Sequence, residues 1–189
     1  MADRPLVERG NILLKELFTI RAGEMVHDNV RNKRVTVASD HIKLKGTGGR
    51  WTCCRYDDSS SACRDYEHRP LECRRLKCWD TVELEKIYGR DLLSREDLLG
   101  EVTGLWELVS DHQRRCSYEV ARRLIEQMNS GRARDARRNL LEMIQYDTEI
   151  RRLVADRGGD VADMLDFLFG RPMSDTLKAE GLNLKPRPK

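Results

Sequence analysis

Apolar positions in the second half of the chain recur at helical intervals. Leu98, Val102, Leu105 and Val109 fall at i, i+4, i+7 and i+11 with Trp106 beside them, and Ser94 with Asp97 three residues later resembles a capping box ahead of the stripe. A second helix is predicted from Ser117 through Val120, Leu124 and Met128, stopping at Asn129-Ser130-Gly131. A third carries Ala136, Leu140, Met143, Tyr146, Ile150 and Leu153 up to Gly158-Gly159. A short fourth runs from Val161 to Phe169 and ends at Gly170-Arg171-Pro172. The remainder, with two prolines among its last five residues, reads as a solvated tail.

The first fifty residues are patterned differently. Leu6, Leu13, Leu14, Leu17, Phe18 and Ile20 suggest one amphipathic helix ending near Ala22-Gly23. Val35 and Val37 then alternate with polar neighbours, as do Ile42 and Leu44, across a Ser39-Asp40 turn, which predicts a short β-hairpin. Lys45 to Arg50, rich in glycine, reads as a linker. The fold expected is mainly α: a helical bundle with one short β-hairpin and a small irregular cysteine-rich metal-binding segment. Four stretches are distinguished within one compact domain: 1–50, helix and hairpin; 51–80, cysteine-rich; 81–172, the bundle; and 173–189, the tail.

Composition narrows the class. Of 189 residues, 39% are hydrophobic and 35% charged, and the net charge is only +3. No apolar run approaches the roughly 18 residues of a membrane helix, so no membrane partner is expected. The first nine residues show charges and no apolar core, so the expectation is no export signal and a reducing, cytoplasmic setting. The basic surplus lies in residues 1–50, with ten Lys+Arg against six Asp+Glu, whereas 51–80 balances at six each. Arg-Arg pairs at 74, 114, 122, 137 and 151 invite a nucleic-acid reading, but Glu119, Glu126, Asp135, Glu142 and Glu149 interleave with them. A solvated face with ion pairs one turn apart is the better account, and nucleic acid is disfavoured as a partner.

The cysteines carry the chemistry. Cys53, Cys54, Cys63, Cys73 and Cys78 fall within 26 residues, and Cys116 stands apart. In a reducing compartment such a cluster points to metal or redox chemistry before disulfides. Thiolates select zinc, copper(I) or iron–sulfur clusters over hard cations, and four of them close a tetrahedral zinc site or hold an iron–sulfur cluster. Counted from Cys54, the spacing is C-x8-C-x9-C-x4-C, which leaves the metal open. In an extended chain adjacent cysteines face opposite ways, so one of Cys53 and Cys54 is spare unless the site holds a cluster or two metals. Arg55, Arg64, Arg69, Arg74, Arg75 and Lys77 surround the thiols and are expected to favour their ionised form. Trp51, Tyr66 and Trp79 would wall the site from water, and Pro70 would fix the turn between two ligands.

Cys54-x-Tyr56, followed by Cys63-x-x-Tyr66-Glu67-x-Arg69-Pro70-x-x-Cys73-Arg74-x-x-x-Cys78, resembles the core of the YkgJ family, the "CxxCxxCC" proteins described as zinc- or iron-chelating. The likeness covers about thirty residues and is most specific from Cys63 to Arg74. It implies metal chelation without implying an agreed reaction, although larger flagellin lysine methylases carry similar motifs. The family's upstream cysteines are reduced here to Cys53-Cys54, which implies a single four-cysteine site. The ligands expected are Cys54, Cys63, Cys73 and Cys78, with Cys53 in reserve. Arg69 and Pro70 would hold the loop, and Tyr66 would pack against the site. The metal is zinc or iron, the latter including an iron–sulfur cluster.

Other readings were weighed on the same residues. Simple burial accounts for five cysteines poorly, because charges rather than apolar residues separate them. His68 could complete a Cys3His site but reads better as an exposed turn residue; His27, His41, His112 and Cys116 read as structural or surface groups. The serine-rich loop at Asp57-Asp58 offers nothing to raise a carboxyl pKa, and neither a nucleophile–base pair nor a phosphate-binding loop is present. No catalytic residue is assigned, and whether the protein is an enzyme is left open. The functions in view are a structural, sensing or redox metal site, part of an iron–sulfur enzyme, or a helical adaptor for a protein partner in which the metal only stabilises.

Overall fold

The computed structural model describes residues 2–47, 51–77, 79–130 and 133–182. The N-terminal segment is where expectation and structure part. Helix α1 is short, Arg4–Glu8, and a 3-10 turn, Leu14–Glu16, leads directly into strand β1, Leu17–Ile20. Leu17 is buried and Phe18 is not, an alternation that belongs to a strand packed on one face. The predicted helix over this stretch therefore breaks at Gly10, whose φ of +74° is a left-handed conformation that glycine tolerates at no steric cost.

Strands β2 (Met25–Asp28), β3 (Lys33–Thr36) and β4 (His41–Leu44) follow. The segments around Val35 and Ile42 are strands, as expected, but they do not pair with each other. Instead β2 pairs with β3, and β4 runs back antiparallel to β1 with Leu17 opposite Leu44 and Ile20 opposite His41. The reason lies at residue 40: Asp40 turns away from a hairpin loop to accept hydrogen bonds from the Ala22 amide and from Arg95. Two-residue strands β5 (Tyr56–Asp57) and β6 (Ala62–Cys63) form a third small ladder.

Helices α2 (Leu71–Arg75) and α3 (Val82–Ile87) are short and lack buried residues. The Ser94 capping box is present: the Ser94 amide donates to Asp97 at 2.8 Å, and the Asp97 amide donates to Ser94 Oγ at 3.3 Å. It starts only α4, Arg95–Leu99; α5 begins afresh at Thr103 and runs to Arg115. Ser117 caps α6, Tyr118–Asn129, and α7 runs from Ala133 to Asp156. Gly158 and Gly159, both at positive φ, end that run. The predicted fourth helix is two, α8 (Asp160–Asp163) and α9 (Leu165–Phe169), and Gly170 at φ +67° closes it.

The stretch expected to be tail is a helix at its start. Helix α10, Met173–Ala179, buries Met173, Thr176 and Leu177. Met173 and Leu177 join Cys116, Ala121, Leu124, Ala136 and Leu140 in one apolar cluster. A second cluster unites Ile12 and Leu17 from the N-terminal segment with Leu99, Val109, Val154 and Phe167 to Phe169. Strand β1 thus belongs to the same core as the helices. A Cβ at residue 170 would sit 2.7 Å from the Thr19 carbonyl oxygen, so this close approach of β1 to α9 requires glycine. Thr19 Oγ1 donates to the Phe167 carbonyl at 2.6 Å across the same junction.

The protein is mainly α, with only short two-stranded antiparallel sheets among the described residues. None of its described helices is long and apolar enough to cross a membrane.

Candidate metal centre

The cysteine segment grows from the end of β4. The Cys54 amide donates to the Lys45 carbonyl at 2.9 Å, and Cys53 bridges antiparallel to Gly46. This places Cys53 and Cys54 beside the 3-10 turn, where Cys54 Sγ faces the Glu16 carbonyl at 3.9 Å. Cys63 sits on β6 opposite Tyr56, and Cys73 sits in α2. Pro70 precedes that helix, and the Leu71 amide at its start donates to the Asp3 carboxylate at 2.9 and 3.2 Å. No local motif announces this contact, because its two ends are 68 residues apart.

One arginine pins the segment to the rest of the molecule. Arg55 donates from Nε and Nη2 to Glu16 at 3.2 and 2.6 Å, from Nη1 to Asp65 at 2.7 Å, and to the Asn11 carbonyl. Burial works to raise the Glu16 pKa, but the hydrogen bonds from Arg55 and the Leu13 amide overcome it and leave the carboxyl below its ordinary value. Asp65 is lowered as well, first by its hydrogen bond to His68 and further by Arg55. Among the described residues from Trp51 to Ser94, the only buried side chain is that of Arg55.

Among the described residues no three of these thiols have their sulfurs within 4.8 Å of one another. Burial pushes Cys73 up, and the negative charges of Cys53, Glu72 and Cys63 push it further against a partial offset from Arg69. Cys54 is raised by burial and then by Cys53. Cys53 contributes to the upward shifts of both Cys54 and Cys73. Cys78 lies outside the described residues. All four described thiols of the segment are free and half-buried.

Two expectations about their surroundings fail. At Cys54 and Cys73 burial outweighs the nearby arginines, which also have other partners: Arg55 as above, Arg64 on the Cys54 carbonyl at 2.6 Å, and Arg69 stacked 3.4 Å over the Tyr66 ring. The aromatic wall is also missing, with Trp51, Tyr66 and Trp79 exposed at 80%, 63% and 85%. Tyr66 faces Arg69 and solvent instead of packing on the thiols. Arg69 does hold the loop, donating from Nε to the Tyr66 carbonyl at 2.9 Å. His68 is an open turn residue whose Nδ1 lies 2.7 Å from Asp65. In the serine loop, hydroxyls of Ser60 and Ser59 bond Asp57 and lower its pKa to about 2, so no proton donor arises there.

A second cluster, built on His112 and Cys116, which read as structural or surface groups in the sequence, lies in the helical core. Atoms of His112, Cys116 and Asp147 able to ligate a metal all lie within 4.8 Å of one another, and all three residues are buried. His112 Nε2 is 2.7 Å from Asp147 Oδ1, Arg151 Nε donates to the same oxygen at 3.0 Å, and the Met173 amide donates to Oδ2 at 2.9 Å. Burial lowers the His112 pKa to about 4 despite the Asp147 hydrogen bond, so at neutral pH the ring is neutral and donates from Nε2. Burial would raise Asp147, but His112, Arg151 and the Met173 amide outweigh it and keep the carboxylate ionised. Burial, followed by the Asp147 charge, pushes the Cys116 thiol up to about 12. His112 at i and Cys116 at i+4 is a spacing legible in the sequence; the approach of Asp147 from another helix is not.

The donor sets differ in their fit to a metal. At the core cluster both carboxylate oxygens are engaged, and the guanidiniums of Arg151 and Arg21 oppose added positive charge, with Arg21 donating to the Cys116 carbonyl at 3.1 Å. Its geometry is that of a structural hydrogen-bond network joining α5, α7 and α10. Cys54 Sγ meets the Glu16 carbonyl at 3.9 Å and Cys53 Sγ accepts from the Arg55 amide at 3.5 Å, and the segment's thiols are of the soft type that zinc and iron select.

Compared with family models, curated proteins and solved structures, the chain matches none of them.

Proposed function

We propose that residues 51–80 form a metal centre held by cysteine thiolates. Cys54, Cys63, Cys73 and Cys78 serve as ligands, with Cys53 as the alternative to Cys54. The observation that carries this reading is the absence of an apolar core. From Trp51 to Ser94 the described chain buries one arginine and no hydrophobic side chain. A segment this poor in buried apolar area needs another source of folding free energy, and metal–thiolate bonds supply it in small domains. Thiols from β6, α2 and the β4 extension provide the donors. The likeness of the Cys63-to-Arg74 run to the YkgJ family agrees with the same chemistry.

In this reading zinc is the first choice, and the role is to fasten an irregular segment onto a helical bundle made by α5, α6 and α7. A reducing cytoplasmic setting belongs to the proposal, because it keeps the thiols available. Anaerobic purification of the full chain, with elemental analysis and a visible spectrum, tests it. One zinc per chain and a colourless protein are expected; a brown product with iron and sulfide would replace zinc by an iron–sulfur cluster. A folded, metal-free protein with all five thiols of the segment reactive would sink the metal reading. Cys54→Ser should release the ion and Cys53→Ser should retain it; the opposite outcome would make Cys53 the ligand.

A further inference from the structure

Two cavities meet beneath the cysteine segment. The inner one, of about 150 Å³, is lined by aliphatic side chains such as Val7, Ile12, Leu17 and Leu44, and Cys73 forms part of its wall. The outer one, of about 520 Å³, is bordered by His27, Arg31, His41 and Tyr88. Lys43, Glu72 and Leu92 line both, so the Lys43–Glu72 ion pair is the partition between them. Its length is 2.6 Å, and the two side chains are 31% and 32% exposed. Protein interiors seldom leave apolar space larger than a water molecule, whereas ligand sites combine an apolar recess with a few placed polar groups.

We propose that this cleft binds a small amphipathic carboxylate, with its apolar part in the inner cavity and its carboxylate on Lys43. A space of this size lined by aliphatic side chains accepts a molecule of about benzene's bulk, which fits a short aliphatic chain or a single ring. The charge of the head follows from the outer cavity, where Arg31, His27 and His41 share the lining with Lys43 and the acid Asp28 is committed to the Val30 and Arg31 amides at 3.0 Å. In the inner cavity Asp3 is engaged by the Leu71 amide, and Asp91 and Arg90 offset each other in charge. Lys43 and Glu72 instead join two separate elements, β4 and α2, through a part-exposed pair of the kind that contributes little net stability. An incoming carboxylate can replace Glu72 on the ammonium, with the donors of the outer cavity at hand for its second oxygen. Cys73 follows Glu72 in α2, so the cleft adjoins the proposed metal centre without sharing its donors' role.

Titration of the full chain with hexanoate, hexan-1-ol and hexylamine, followed by calorimetry or by amide chemical shifts, tests the proposal. Hexanoate is expected to bind and to shift residues of β4 and α2, with the alcohol weaker and the amine weakest. Lys43→Met should weaken hexanoate by about tenfold or more, the loss of one charge-assisted hydrogen bond. Glu72→Gln, which frees Lys43 from its partner, should tighten it. Leu44→Trp, which fills the inner cavity, should abolish binding of both acid and alcohol. Equal affinity for acid and alcohol, no binding, or a Glu72→Gln variant that binds hexanoate no better would each overturn the assignment. Metal content measured on the same samples separates the two readings: metal present without hexanoate binding defeats this one alone, and binding without metal defeats the metal centre alone.

Discussion

The core group of His112, Cys116 and Asp147 and the cysteine-bearing segment proposed to bind a metal are held in place by opposite means. His112, Cys116 and Asp147 sit at zero to one per cent exposure inside the helical core, where Arg151 and the Met173 amide satisfy the carboxylate. The four described cysteines of the 51–80 segment are half-buried, and the chain that bears them is tied to the rest by Arg55, by the Leu71 amide on Asp3 and by the Lys43–Glu72 pair. The core group is held by protein alone: both Asp147 oxygens are paired, while His112 Nδ1 is buried without a partner. The segment lacks an apolar core, which is the ground on which an ion is proposed there.

The largest effect expected from this contrast comes from removing the ion. Treatment with a strong chelator, or the Cys73→Ser substitution, should abolish metal content and leave residues 51–80 with fast amide exchange, while α5, α6 and α7 keep their protection. Equal loss of protection in both regions would erase the distinction drawn here. Next in size is Asp147→Ala, which strands Arg151, His112 and the Met173 amide in the core. It should cost about 3–5 kcal/mol in denaturant unfolding and leave the metal stoichiometry alone.

Acid should act on the core cluster with a definite sign. The His112 pKa is about 4 in the fold against an ordinary 6.5, so the unfolded chain takes up a proton that the folded chain refuses. Stability is then full above pH 6.5 and falls as pH drops toward 4, by about 3 kcal/mol in all. Asp147, also lowered, adds a loss of the same sign at lower pH. Unfolding curves at pH 7 and pH 5 measure the effect, and a His112→Asn variant with the same slope would refute its assignment.

Smaller again is Arg55→Met, which releases Glu16 and Asp65 to solvent that partly re-solvates them. A loss of about 2 kcal/mol is expected, confined to the cysteine segment when read by amide exchange. The smallest effect should be that of Cys116→Ala, about 1 kcal/mol with unchanged metal content. A fall in metal content on that substitution would transfer the metal site to the core and invert the comparison.

Helix boundaries were legible wherever a local signal exists. Ser94 and Ser117 cap helices as read, and the glycines at 158, 159 and 170 end them. The surface ion pairs one turn apart, such as Arg123 with Glu119 and Arg152 with Asp156, follow the interleaving of charges. Misreadings arose where apolar spacing was ambiguous over a few residues. Leu13 to Ile20 suits a helix by spacing alone, yet β4 is available to pair with it and makes the strand. Helix α10 was missed because Met173, Thr176 and Leu177 give too short a pattern to stand out; it is the cluster around Leu140 that buries them.

Composition and local spacing were enough to establish a mainly α chain and to single out the cysteine segment as chemically distinct, because caps, turns and thiol spacing act over a few residues. The pairing of β1 with β4, the burial of Arg95 against Asp40, and the meeting of His112 with Asp147 join positions 21 to 55 residues apart. Only the folded chain could decide these contacts, since each depends on which buried charge finds a partner once water is excluded. The same holds for Arg55. In the sequence it is one cation among six near the thiols, and in the fold it is the buried bolt that leaves those thiols free.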